Sequence, residues 1–409
     1  MLAKTDAEGV RAHNRRVVID QLRRSNVSTR RAVSAATGLS VSSASAITAA
    51  LIRDGVLVEV QDDERGLKRG RPERRLGFEP GAATVAAVKI AVGEIAVRIS
   101  DYAGQPLAYV HRTLTIADLD ADRMVAAIAD LVREAEGRVE RLGQPATERL
   151  TLAVQGKTDA EAGRIVWSPA MKHRDLVVGP KLSQALGATV SVCNDCSLMP
   201  EGVRWRGGTG ARDFAFLFIG FGVGMGLRIG GRTFQDGTNS AVEFGHINHV
   251  PGGAACRCGN SGCVEAYAGD YAIWRRALGR PVGEIIDRRI SDAEIHRLAE
   301  EARRTQGNAR TAFEEAGIAI GYGLGRLFTI IDPLPIIFTG AGAHAIDLME
   351  PAIRRGIAES SIAEQGADVA FSVEEDVDAL VFEAATNHAL AGIDERFARS
   401  PGRHAEAAE

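Results

Sequence analysis

Apolar residues recur at helical spacing near the start of the chain and at strand spacing beyond it. Over 13–24, Val18 and Leu22 stand one turn apart and predict an amphipathic first helix. Ser28 is placed to cap a short second helix carrying Ala32, Val33 and Ala36. Thr37-Gly38-Leu39 supplies a tight turn, Gly38 being free to take a conformation that side chains resist. Ser40 then caps a third helix in which Val41, Ala44, Ile47 and Leu51 recur every three or four residues and are predicted to face inward. Ser42, Ser43 and Ser45 lie off that stripe, near the helix's N-terminal end. A strand starts at 55–58, and the polar, Gly- and Arg-rich stretch 59–75 suits a hairpin.

From Thr84 onward short apolar runs alternate with helical segments, the pattern of an α/β fold. Strands are predicted at 85–92, 95–100, 150–154, 190–193, 214–219, 225–229 and 335–339. Helices are predicted at 122–142, 176–186, 292–304, 309–331 and 379–391, with a disordered tail over 399–409. The glycine run 220–226 lacks G-x-G-x-x-G spacing and reads as a tight hairpin, not a dinucleotide fingerprint.

Composition narrows the picture. With 409 residues, 45% hydrophobic and 25% charged, the chain has globular composition, which excludes a disordered, collagen-like or disulfide-built protein. It contains no apolar run of about 18 residues and no apolar leader, so a cytoplasmic protein without membrane spans is expected. Charge is uneven: the first 78 residues hold 15 basic and 9 acidic side chains, a net +6, leaving −10 for the rest. A basic head on an acidic body points to a polyanionic partner. A winged helix-turn-helix over 1–78 would set Ser42, Ser43 and Ser45 against base edges, with Lys68, Arg69 and Arg71 on phosphate or in the minor groove. The same elements would also suit a three-helix interaction module or a basic linker.

The strongest local signal is His246 followed by Cys256, Cys258 and Cys263. One imidazole and three thiolates meet the tetrahedral demand of structural zinc, and a full set leaves no open position for water. Three close cysteines are also compatible with a redox site. Cys193 and Cys196 form a C-x-x-C pair straight after a strand and are expected to be plain buried residues.

The segment Ala241-Val242-Glu243-Phe244-Gly245-His246, with Cys256-Arg257-Cys258-Gly259-Asn260-Ser261-Gly262-Cys263-Val264-Glu265, closely resembles the signature of the ROK family (repressors, open reading frames, kinases). Members with an N-terminal head are mostly sugar-responsive repressors of xylose, N-acetylglucosamine or glucose uptake, and those without it mostly sugar kinases. The resemblance implies an actin-like ATPase/sugar-kinase fold of two α/β lobes over 79–398. The small lobe would span about 79–195 plus the C-terminal helix, and the large lobe about 196–375. It also implies a homodimer or homotetramer. Asn194 and Asp195 match a pair lining the kinase sugar site, whose Asp acts as general base. Glu243, His246 and Glu265 match residues that hold sugar hydroxyls, His246 also contacting zinc.

The departures matter as much. Where kinases carry Asp-x-Gly-Gly-Thr, this chain has Lys89-Ile90-Ala91-Val92-Gly93, and Cβ atoms fill space that phosphate needs. Phe221 replaces the hydroxyl residue of Gly-Thr-Gly-x-Gly, and the late glycine turn thins to Thr339-Gly340-Ala341-Gly342. Ala170 replaces a sugar-binding Asn, so either the ligand differs from the usual hexoses or the pocket is weakened. The expectation is a non-enzymatic regulator, a repressor, that binds operator DNA and a sugar or sugar-derived effector. Its rival is an ATP-dependent sugar kinase with a fused head, in which Asp195 would be catalytic.

Overall fold

The computed structural model describes residues 7–25, 28–60, 74–205, 212–234, 242–286, 288–360 and 368–399. The first helix, Ala7–Ser25, buries Val18, Ile19 and Leu22 completely. Helices Arg30–Thr37 and Val41–Arg53 pack on it, joined by Gly38, whose left-handed φ of 73° ends the first of the pair. Thr29, not Ser28, caps the second helix by accepting from the Ala32 N–H. Ser28 instead begins a two-residue strand paired with Leu76, so its backbone is committed to a sheet. Ser40 caps the third helix, accepting from the Ser43 N–H.

The inward stripe of that third helix also differs from expectation. Ala44 and Leu51 are buried and Ile47 is half-buried, but Val41 is 60% exposed. Val41 sits in the first turn, beyond the packed face. Thr48 takes the inner place instead, its hydroxyl donating to the Ala44 carbonyl and so burying without an orphaned donor. Strands Leu57–Val60 and Arg75–Phe78 pair antiparallel, and Ser28–Thr29 adds at the far side of 75–78. The segment connecting 57–60 to 75–78, with Lys68, Arg69 and Arg71, lies outside the described residues, as does 400–409.

Beyond the head stand two five-stranded mixed sheets. In the first, Thr189–Asn194, Thr147–Val154 and Thr84–Ala91 run parallel, followed by antiparallel Glu94–Asp101 and Pro106–Thr113. Side chains alternate along Thr84–Ala91: Ala86, Val88 and Ile90 pack toward helix Ala121–Val139, while small Ala87 faces Leu380 and Ala384 of helix Val377–Arg399. The second sheet runs Arg232–Thr233, Val223–Ile229, Phe214–Ile219, Ile336–Thr339, Phe371–Glu374. Its inner face, with Ala215, Leu217 and Ile219, packs on helix Asn308–Phe328.

The predicted helix over 176–186 divides into a strand Leu176–Val177 and a helix Gly179–Leu186. Pro180 in the first turn fixes that start, since proline suits the opening turn of a helix. The last described helix begins earlier and ends later than predicted, at Val377 and Arg399. No helix among the described residues is long and apolar enough to cross a membrane.

Candidate ligand and metal site

Parallel strands in α/β proteins deliver loops to one edge, and ligands settle outside their carboxyl ends. Here the residues following four such strands, Val92, Gln155, Asp195 and Gly340, line one cleft together with Gly220. Its inner end is a narrow pocket of about 70 Å³ that brings together Asn194, Asp195, Glu243, His246 and Glu265, with Trp167 and Phe221 as aromatic walls.

Asn194 ends its strand and is 4% exposed. Its Nδ2 donates to the Gly156 carbonyl at 2.7 Å and its Oδ1 accepts from the Ser197 N–H at 2.9 Å. Asp195 opens the following helix and accepts from the Cys196 N–H at 2.8 Å. Burial raises its pKa, opposed by that hydrogen bond and by the charge of Lys89. Gly156 is required where it stands: φ is 107°, and a Cβ would lie 2.3 Å from the Trp167 carbonyl oxygen. Ala170, where a sugar-binding Asn was expected, is buried in the core of the first sheet and is not part of the pocket wall.

Glu265 is buried between two loops. Its Oε2 accepts from the Val223 N–H at 3.2 Å, while Oε1 stands 3.5 Å from both Cys256 Sγ and the Tyr271 hydroxyl. Glu243 is half-exposed and faces His246 Nε2 at 3.8 Å. The other ring nitrogen, Nδ1, lies 3.9 Å from Cys256 Sγ.

His246, Cys256, Cys258 and Cys263 form one cluster whose donor atoms all lie within 4.8 Å of one another. Cys258 and Cys263 have their sulfurs 3.8 Å apart. Ligands about 2.3 Å from a tetrahedral zinc stand roughly 3.8 Å from each other, so the spacing fits that ion. Burial pushes the Cys263 thiol up to about 11 and raises Cys256 as well, the latter helped by the Glu265 charge. A cation at the centre would reverse both effects. This cluster can hold a metal.

The outer cleft, a cavity of about 370 Å³, has Lys89, Val92 and Phe221 in its lining. Among the described residues it is lined by Asp195, Asp270, Asp292, Glu375, Asp376 and Asp378 against Lys89, Arg289 and His344. Lys89 is ion-paired with Asp378, and Arg289 donates to the Val92 carbonyl at 3.1 Å. Such a wall would need a divalent cation before it could accept the phosphates of a nucleotide. Sequence reasoning singled out Asp195 but missed the other five acids, which come from three separated segments and share no motif. It also missed Tyr271 and Arg257, although Arg257 sits inside the C-x-C spacing.

Cys193 and Cys196 are buried beneath the cleft, and burial alone pushes Cys193 up to about 12, so its thiol stays protonated. On the head, Ser42 and Ser43 are exposed and Ser45 half-buried. The Ser42 and Ser43 hydroxyls lie 2.9 and 2.8 Å from Ser40 Oγ.

The profile of the ROK family matches residues 85–380. The xylose repressor of Caldicellulosiruptor bescii is 22% identical over 365 residues, covering 86% of this chain and 89% of the relative. A glucokinase of Streptomyces coelicolor is 28% identical over 278 residues, covering 66% of this chain and 85% of its own length. The crystal structure of a ROK family transcriptional regulator, a homologue of the E. coli Mlc protein, superposes with a TM-score of 0.77 at 21% identity. That match covers 95% of this chain and 98% of the other. The fold is thus the two-sheet architecture of ROK proteins, and with the family profile spanning well over half of its length, the chain belongs to the ROK family.

Proposed function

We propose that this protein is a DNA-binding transcriptional repressor whose ROK body senses a sugar or sugar derivative and carries a structural zinc ion. One observation carries the reading. The likeness to the xylose repressor takes in 86% of the chain, more than everything after residue 78, whereas the glucokinase match takes in 66%. At least part of the head is therefore shared, in keeping with the 95% of the chain that superposes on the ROK transcriptional regulator.

Residues 7–25, 28–60 and 74–78 supply three helices and a three-stranded antiparallel sheet, the elements of a winged helix-turn-helix. In this reading Val41–Arg53 is the recognition helix, with Ser42, Ser43 and Ser45 toward base edges and Lys68, Arg69 and Arg71 on the wing. Two copies in a homodimer or homotetramer would place half-sites about one helical turn or a multiple apart. Asn194, Asp195, Glu243 and Glu265 offer carboxylate and amide oxygens to sugar hydroxyls, and Trp167 offers an apolar face. Bound zinc would fix the loop through Cys256, Cys258, Cys263 and His246 Nδ1, leaving Nε2 toward Glu243 and the pocket.

The kinase alternative is disfavoured by Lys89, Val92 and Phe221, which stand where kinases keep a carboxylate, a glycine and a hydroxyl. Genomic fragments retained by the purified protein, sequenced with and without candidate sugars, test the proposal. Retention should be sequence-specific, fall steeply with salt as released counterions require, and weaken with one of the sugars. ADP formation from ATP and a sugar, abolished by Asp195→Asn, would overturn it.

A further inference from the structure

The glycine loop 220–224 roofs the inner pocket, and besides its own strand pairing through Val223 and Gly224 it is held by three fasteners from one stretch of chain, 257–270. Asp270 donates its N–H to the Gly220 carbonyl at 2.8 Å, and Glu265 accepts from Val223. The third fastener is Arg257, the residue between two cysteines of the metal cluster. Its guanidinium lies between two rings, 4.3 Å from the centre of Phe221 and 4.2 Å from that of Tyr271. One terminal nitrogen donates to the Phe221 carbonyl at 3.1 Å. The other reaches the Ile286 and Arg288 carbonyls at 3.0 and 2.9 Å. Three carbonyls and two aromatic faces satisfy a planar cation in a way a lysine cannot reproduce.

We propose that Arg257 is a positioning residue that couples the metal loop to the glycine loop, and that Phe221, besides filling a phosphate position, is the platform on which it latches. A cation bound by Cys256 and Cys258 fixes the backbone on both sides of Arg257, which then holds Phe221 over the pocket. The coupling is reciprocal: what stabilises one loop stabilises the other. Phe221 is thereby linked to metal affinity, although it offers the metal no ligand. The inference rests on the zinc reading above.

The test is zinc affinity of the full-length protein, measured by competition with a chromophoric chelator. Phe221→Leu keeps an apolar side chain in the glycine loop but removes the π face, and Phe221→Tyr keeps the face. Phe221→Leu should weaken zinc binding by about fivefold or more, the low end of typical coupling between sites, and Phe221→Tyr should not. Arg257→Ala and Arg257→Lys should each weaken it comparably. Arg257→Ala combined with Phe221→Leu should be no worse than Arg257→Ala alone, because both remove one interaction. Wild-type affinity in Phe221→Leu, or losses that multiply in the double variant, would overturn the latch while leaving the zinc reading intact. A wild-type protein that retains no zinc would sink both.

Discussion

At Asp270 the fold holds a carboxylate where its charge is disfavoured. The residue is 4% exposed, and burial raises its pKa to about 6, with the Arg257 charge and the Tyr271 N–H opposing the shift. A carboxylate raised above its unfolded value of 3.8 carries no penalty below that pH. The penalty grows as pH climbs from about 4 to 6 and is complete above 6. Asp270→Asn keeps an oxygen for the Tyr271 N–H and removes the charge. It should therefore stabilise the protein at pH 8 by about 1–3 kcal/mol, with the gain vanishing near pH 4. Denaturant melts at the two pH values check this, and an equal gain at both would refute the assignment. Glycines in the metal loop give a second comparison at single positions. Gly262 has φ of +85°, and a Cβ there would stand 1.8 Å from the Val250 carbonyl oxygen. Gly259 has φ of +98° but open space around its missing Cβ. Gly259→Ala should cost only the conformational strain of about 1–3 kcal/mol and keep its metal. Gly262→Ala must also displace the backbone at Val250, and metal analysis of the purified variant should show the site largely lost.

Elements were readable where one local rule decided them. Ser291 and Glu294 form a complete capping box, and the helix predicted over 292–304 is found as Asp292–Arg304. Seven of the ten strands in the two large sheets announced themselves as apolar runs, whereas the edge strands Pro106–Thr113, Arg232–Thr233 and Phe371–Glu374, largely exposed, did not. Helix Asp195–Trp205 did not, because Pro200 and Gly202 read as breakers. Packing overrides that propensity: a Cβ on Gly202 would lie 2.9 Å from the Leu380 carbonyl oxygen, so the glycine lets two helices touch. Helix Ile346–Ser360 was hidden in the same way, with Pro351 inside it and Gly356 pressed against Gly321. The cluster of His246, Cys256, Cys258 and Cys263 was legible because its three cysteines fall within one short stretch of chain. The acid-lined outer cleft and the Arg257 clamp were not, since their partners meet only through the fold.

Across the whole molecule one helix joins the cleft to the head. Val377–Arg399, about 35 Å long at 1.5 Å per residue, starts at the cleft wall, where Asp378 pairs with Lys89. Sixteen residues later Asp394 receives Arg23 of the first helix through both carboxylate oxygens, at 3.0 and 2.9 Å. The Tyr102 hydroxyl donates to the same carboxylate at 2.7 Å, and Arg23 stacks on Phe78 and Tyr102 at 3.8 and 4.2 Å. Both charges are buried, and Ala389, Leu390 and Ile393 share one apolar core with Val18, Ile19 and Leu22 of the head. The head is thus seated on this helix rather than tethered to it. Asp394→Ala strands Arg23 in that core and should destabilise the protein by about 3–5 kcal/mol, the usual result of removing one partner from a buried pair. Asp394→Asn keeps an acceptor and should cost less, so it is the variant for function. If the helix carries the ligand signal, Asp394→Asn will still retain operator fragments, because the residues proposed to meet DNA are untouched. The sugar that releases the wild-type protein will then release the variant less effectively, since a weaker joint passes less of any lobe movement to the head. Retention measured across a titration of that sugar decides the matter. An unchanged midpoint and amplitude in Asp394→Asn would place the path elsewhere.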